Sequence, residues 1–183
     1  MLAPRSIPPT YCPNIGGLSL GALRLWPAAN VRRYPAPAGG RISQALELLD
    51  SRQYADVYFL DGSAGYDEEP GENEQGLFYK AKLVLLVPAD APDVSQAVAT
   101  LAGGRYLVAF QDGNGRTKLA GTPEWPLRLL VGTETGKRPT DRNALQFSFA
   151  GELPVRAPFY LEQEINRPAT RRAWSAGFSL DFS

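Results

Sequence analysis

The chain has no histidine, and its 183 residues include one cysteine and one methionine. Each absence removes a chemistry. Without an imidazole, a serine nucleophile lacks its usual base, and a general acid or base poised near neutral pH must come from another group. With Cys12 as the sole cysteine, no intrachain disulfide can form and the commonest zinc ligand sets cannot be assembled. Cys12 reads as a buried small apolar residue, with a surface thiol as the alternative. An excess of one charge is also missing, because 19 basic and 19 acidic residues cancel. The positive field behind most non-specific affinity for nucleic acid is therefore lacking, and no sequence-specific nucleic-acid binding is expected. No apolar run approaches the roughly 20 residues that cross a bilayer. The opening MLAPRSIPPTYC has no hydrophobic signal core. The expectation is a chain that stays in the cytoplasm in which it is made, with no membrane partner.

Turns are abundant. Sixteen prolines and 18 glycines cut the sequence into short segments, while 44% apolar residues suffice for a core. The expected fold class is mainly β, an antiparallel β-sandwich or barrel with one or two short helices and extended terminal arms. Residues 1–17 carry Pro4, Pro8, Pro9 and Pro13 and read as an N-terminal arm, since proline fixes φ and gives no backbone donor. Residues 18–160 form the β-rich core domain, and 161–183 a C-terminal linker and strand arm.

Within the core, Leu18–Trp26 predicts a strand ended by Pro27, and Val31–Gly40 a loop. The spacing of Ile42, Leu46 and Leu49 predicts a short helix over 42–51, with a strand as the competitor. Tyr54–Leu60 and Leu77–Val87 predict strands. Between them Asp67, Glu68, Glu69, Glu72 and Glu74 surround Pro70-Gly71, which predicts a solvated, mobile loop whose other role is electrostatic contact at an interface. Asp93 is placed to cap a helix through Leu101 with Val94 and Val98 on one face, ended by Gly103-Gly104. Tyr106, Val108 and Phe110 alternate with Leu107, Ala109 and Gln111 before Asp112-Gly113-Asn114-Gly115, a turn leading back through Arg116 to Ala120. A second strand pair follows, with its turn expected at Gly132–Lys137. At the end Trp174, Ala176, Phe178, Leu180 and Phe182 alternate with small polar residues, the period of a strand with one buried face. It closes the chain's own sheet or crosses to a neighbouring copy, and both readings stand.

Several patterns imitate catalytic motifs. Gly17-Leu18-Ser19-Leu20-Gly21 fits a nucleophile elbow, but no histidine exists to activate the serine. Gly132–Arg138 approaches a phosphate-binding loop with one residue too few between its glycines and Arg138 in place of the metal-binding hydroxyl. Asp112-Gly113-Asn114-Gly115 opens like a calcium loop, yet Arg116, Lys118 and Pro123 occupy ligand positions. No catalytic residue, metal ligand or cofactor is assigned. Trp125, beside two prolines, suits a carbohydrate platform, so a monomeric β-sandwich binding module is the alternative reading.

Four stretches together resemble a known family: GYDEEPGENEQGLFYKAKL, the helix-like segment after it, YLVAFQDGNGRTKLAGT, and the TG-x-x-x-x-DRN element before a last apolar strand. They are similar to virion structural proteins of tailed phages and prophages, over roughly residues 54–151, with a weaker likeness at Cys12–Leu18. The resemblance implies a tail-tube-like β-sandwich or barrel with a flanking helix. It implies copies of the chain assembling into a ring or tube of the tail or head–tail neck, hexameric in the common case, alongside other virion proteins. Localisation would be the virion, with host cytoplasm during assembly. The resemblance carries no residue role. The interface residues expected from the chain itself are Trp174, Phe178, Leu180 and Phe182 of the terminal strand and Asp67, Glu68, Glu69 and Glu72 of the acidic stretch.

Overall fold

The computed structural model describes residues 15–74, 76–88, 92–134 and 143–161. The proline-rich start with Cys12, and the segment with Trp174, Phe178, Leu180 and Phe182 expected to form a terminal strand, lie outside these residues. The fold is mainly β, with one α-helix among the described residues.

The chain begins with β1 (Leu18–Pro27), makes an excursion through β2 (Val31–Arg33), β3 (Arg41–Ile42) and β4 (Glu47–Leu48), and returns as β5 (Ala55–Tyr58). Two long strands follow, β6 (Gly65–Asn73) and β7 (Gly76–Pro88), then α1 (Pro92–Leu101). The second half comprises β8 (Arg105–Asp112), β9 (Thr117–Ala120), β10 (Leu127–Glu134), β11 (Ala144–Leu153) and β12 (Phe159–Tyr160). Ten strands form one curled, mostly antiparallel sheet in the order β3-β12-β9-β8-β10-β11-β7-β6, with β1 and β5 on the other side of β8. β2 and β4 form a small second sheet.

β8 is where the sheet divides. Its start pairs with β10 (Tyr106 with Leu127), its end with β9 (Phe110 with Lys118), and its opposite edge with β1. Gly121, at φ +89°, turns the corner between β9 and β10. That backbone conformation favours glycine, and a Cβ there would lie 3.1 Å from the Tyr106 carbonyl, a tight contact. The two branches fold over each other and enclose the main core. Leu23, Leu25, Leu83, Val108, Phe110, Leu129, Phe147 and Phe149 all meet there. Val94, Val98 and Leu101 of α1 pack against the same core. Pro92 begins this helix, where its missing N–H costs nothing, so Asp93 lies inside the first turn and not at the cap.

The alternation read from the sequence of β8 has a specific meaning here. Tyr106, Val108 and Phe110 face the main core, while Leu107 and Ala109 face a second core with Ala22, Trp26, Leu119, Ile42 and Tyr160. A strand buried on both faces needs apolar residues at every position. The second core is covered by the excursion between β1 and β5, and this corrects the helix expected over 42–51. Ile42 is buried in β3, Leu46 and Leu48 pack on the second core, and Leu49 is 68% exposed. The apolar spacing serves separate short strands, so the competing strand reading holds at 41–42 and 47–48. Likewise the expected loop at Val31–Gly40 starts with a strand, β2, before becoming irregular. Asn30, a buried polar residue, holds the cover in place: its Nδ2 donates to the carbonyls of Asp50 (2.8 Å) and Gln53 (3.1 Å), and Asp50 N donates to its Oδ1 (2.9 Å).

Three tyrosines couple this packing to pH. Burial, and then the charge of Glu124 and the neighbouring Tyr160, push Tyr34 up to about 12. Burial also raises Tyr66, assisted by its hydrogen bond to Glu68, and raises Tyr106. In the unfolded chain these phenols ionise near about pH 10. The folded protein therefore holds protons that the unfolded chain has released, and stability is complete below that pH and falls as pH rises through the folded values. Denaturant unfolding at increasing alkalinity should show the midpoint flat to about pH 9.5 and declining steeply beyond it. A flat midpoint up to about pH 12 would contradict the burial of these phenols.

Candidate functional site

Each motif-like pattern receives a structural use. Ser19 lies in β1, with Oγ 2.7 Å from the Asp112 carbonyl and 2.9 Å from Gln111 Oε1. The β1–β8 register slips between Leu18 and Leu23, so the Gly-x-Ser-x-Gly pattern falls at a bulge and not at a strand-to-helix elbow. The Asp112–Gly115 segment is the expected hairpin turn. Asp112 Oδ1 accepts from Asn114 N (3.0 Å) and Arg116 N (2.8 Å), and Gly115 adopts φ +79°. The same turn grips the start of the described chain, because Ile15 N donates to Asn114 Oδ1 (3.0 Å) and Gly113 N to the Gly17 carbonyl (2.9 Å). A Cβ on Gly113 would lie 2.6 Å from the Ile15 carbonyl oxygen, so glycine is required for this approach.

Gly132 and Thr133 are not in a turn. They belong to β10, opposite Gln146 and Leu145, and 135–142 lie outside the described residues. Trp125 is half-exposed on a turn closed by Thr122, whose N donates to the Trp125 carbonyl and whose Oγ1 accepts from Trp125 N. The nearest cavity, about 480 Å³, is an open depression walled by Pro27, Ala28, Arg105, Pro123, Glu124 and Pro126, and Trp125 is not in its lining. Among the described residues no three His, Cys, Asp or Glu side chains gather to hold a metal ion, and no helix is long and apolar enough to cross a membrane.

The acidic stretch is the largest departure from expectation. Residues 65–73 form β6, paired along its length with β7: Asp67 lies opposite Lys82, Glu69 opposite Lys80, Glu72 opposite Leu77. Asp67 and Glu69 face lysines across the strand pair, and this hairpin pairing turns a composition typical of loops into a strand. β6 is the last strand of its branch, and Pro70, which has no N–H to give, is tolerated at such an edge. The pleat puts Asp67 and Glu69 on one face of β6 and Glu68 and Glu72 on the other. Asp67, Glu69 and Glu72 are exposed. Glu68 turns inward with its side chain 5% exposed: Oε1 accepts from Tyr66 OH (2.7 Å) and Ala157 N (2.6 Å), and Oε2 from Arg156 Nε (3.2 Å). It fastens the segment after β11 to β6 and is not available to a partner.

Beyond Tyr79, which faces the last β11 residue Leu153, β6 and β7 continue as a hairpin without β11 beside them. The Phe78 ring covers Gly71 there, and a Cβ on Gly71 would sit 2.6 Å from that ring. Leu77 is 59% exposed near the tip, close to Glu72 and Glu74. The outward face of β10, β11, β7 and β6 has no covering layer among the described residues, and Leu130 stands 52% exposed on it. Comparison with protein-family models, curated proteins and solved structures finds no match for this chain.

Proposed function

We propose that this protein is a non-enzymatic structural component of a phage or phage-like particle, self-assembling into a ring or tube of the tail or head–tail neck. The observation that carries the reading is the long β6–β7 hairpin, which ends the sheet in an acidic edge strand and runs past the strand beside it. An exposed strand edge of this length invites pairing with another chain, and its charges and Pro70 limit that pairing to selected partners. The resemblance of residues 54–151 to virion structural proteins supplies the particle class, and the terminal segment with Trp174, Phe178, Leu180 and Phe182 supplies a second connector. Among the described residues the two-core subunit offers extended edges and faces and no cleft with convergent reactive groups, which suits a part whose work is contact with its neighbours.

The test is mass and shape across a concentration series, by light scattering coupled to size exclusion, with negative-stain images of the same fractions. Rings or tubes are expected, and deletion of 173–183 should reduce them to smaller species. A chain that stays at its monomer mass of 19.9 kDa at every concentration and is absent from particles would overturn the proposal.

A further inference from the structure

The uncovered face of β10, β11, β7 and β6 has a pattern that its own fold does not use. Directly opposite residues across a sheet point to the same side, so the register gives rows that run across all these strands. One row reads Leu130, Ser148, Val84, Gly65. The next reads Arg128, Ala150, Lys82, Asp67, and the third Glu152, Lys80, Glu69. The charged members are exposed, and among the described residues the ion pairs are Arg24–Asp56, Arg33–Glu47 and Arg156–Glu68, so none of these six charges is in one.

We infer that this face is a two-fold interface with a second copy of the chain, with the axis parallel to the strands between β11 and β7. The inference rests on the assembly reading for its kind of partner. A rotation about that axis lays β10 of one copy over β6 of the other and β11 over β7, and keeps each row on itself. Arg128 then faces Asp67 of the second copy, Glu152 faces Lys80, Leu130 stands over Gly65, and Val84 over Ser148. Four of the six charges thus meet one of opposite sign, while Lys82 stands over Ala150 and Glu69, at the rim, has no β10 residue in its row, and the large apolar side chains meet the small residues. Turning the second copy end for end would place the apolar row over the charged rows, so the sequence selects one orientation. Face-to-face sheets pack about 10 Å apart, within reach of two long side chains meeting midway. A two-fold contact also gives each pair twice per dimer.

The register makes the test clean. Arg128 and Asp67 lie on strands separated by two others, about 14 Å apart within one copy, so an exchange of their charges can be compensated only between copies. Arg128→Asp and Asp67→Arg are each expected to weaken dimerisation by about tenfold or more, and the double exchange to restore it to within about threefold. Sedimentation equilibrium gives the affinities, and thermal unfolding of each variant checks that the fold is intact. Leu130→Glu is expected to abolish the dimer as well. Single exchanges without effect, or a double exchange no better than either single one, would overturn the inference. A full chain that dimerises only after deletion of 162–183 would also overturn it, because the chain's own terminus would then be the cover. Rings that persist in Arg128→Asp and Leu130→Glu would refute this face while leaving the assembly proposal intact. Dimers that never grow into rings or tubes would do the reverse.

Discussion

Asn30→Ala is expected to destabilise the protein by roughly 3 kcal/mol, the largest loss from a single polar side chain on the excursion between β1 and β5. Asn30 is 4% exposed, and its amide makes three hydrogen bonds to the backbone of Asp50 and Gln53. Its own carbonyl accepts from Leu49 N at 2.8 Å, so one residue ties both ends of the excursion together. Truncation strands the Gln53 carbonyl and the Asp50 N–H, while the Asp50 carbonyl keeps its bond from Gln53 N (3.2 Å), and each buried orphan costs about 1–3 kcal/mol before any cavity is counted. Asn30→Asp is expected to cost about as much. It keeps Oδ1 for the Asp50 N–H but replaces the donor with an oxygen facing two carbonyl oxygens. Beneath the excursion, Trp26 lies in the second core with its ring 6.4 Å from that of Tyr160, edge to face. With Trp125 and Trp174 replaced by phenylalanine, Trp26 fluorescence during denaturant unfolding reports on the cover directly. A loss below about 1 kcal/mol in both variants would show that the excursion is held by its apolar contacts with Ile42, Leu46 and Leu48, and that the amide network is incidental.

What the sequence reveals of this fold divides by the range of the interaction. The β8–β9 hairpin is legible because its turn is made by Asp112 acting on Asn114 and Arg116, within four residues of chain. The strand at β7 and the helix before β8 are legible because run length and the positions of Val94, Val98 and Leu101 are local signals. The segment 42–51 misleads because Ile42 and Leu46 have a helical spacing for an unrelated reason: each touches a different part of the second core, built by β1, β8, β9 and β12. Two glycines at positive φ, Gly39 and Gly40, and the tether from Asn30 decide the backbone there, and neither shows in apolar periodicity. The acidic stretch misleads because the lysines opposite it come from the following strand, and a strand's partner cannot be read from its own composition. The candidate face is half visible in the sequence. Asp67 and Glu69 read there as solvated charges, but Arg128, Leu130 and Glu152 join them only through the strand order β10-β11-β7-β6.

Glu68 is the acidic residue on which sequence and structure differ most, and Glu68→Leu is expected to cost roughly 3 kcal/mol or more. The carboxylate is buried in the gap between β6 and the chain leaving β11, where it accepts from Tyr66 OH, Ala157 N and Arg156 Nε. Leucine fits the space but leaves the phenol and the amide unpaired. Arg156, 69% exposed, stays solvated and loses little. Glu68→Gln retains an acceptor oxygen for Tyr66 and Ala157 and should cost only about 1 kcal/mol. The decisive variant is the pair Tyr66→Phe with Glu68→Leu. If the orphaned phenol is a main source of the loss, removing its hydroxyl should return about 1 kcal/mol, although Tyr66→Phe alone in the native background destabilises. Additive losses in the pair would mean that Glu68 acts through Ala157 and the course of the chain into β12. In that case hydrogen exchange should show the Ala157 amide losing protection in every Glu68 variant except glutamine. Glu68 substitutions neutral for stability would contradict the buried network, and would put this carboxylate back among the exposed acids open to a partner.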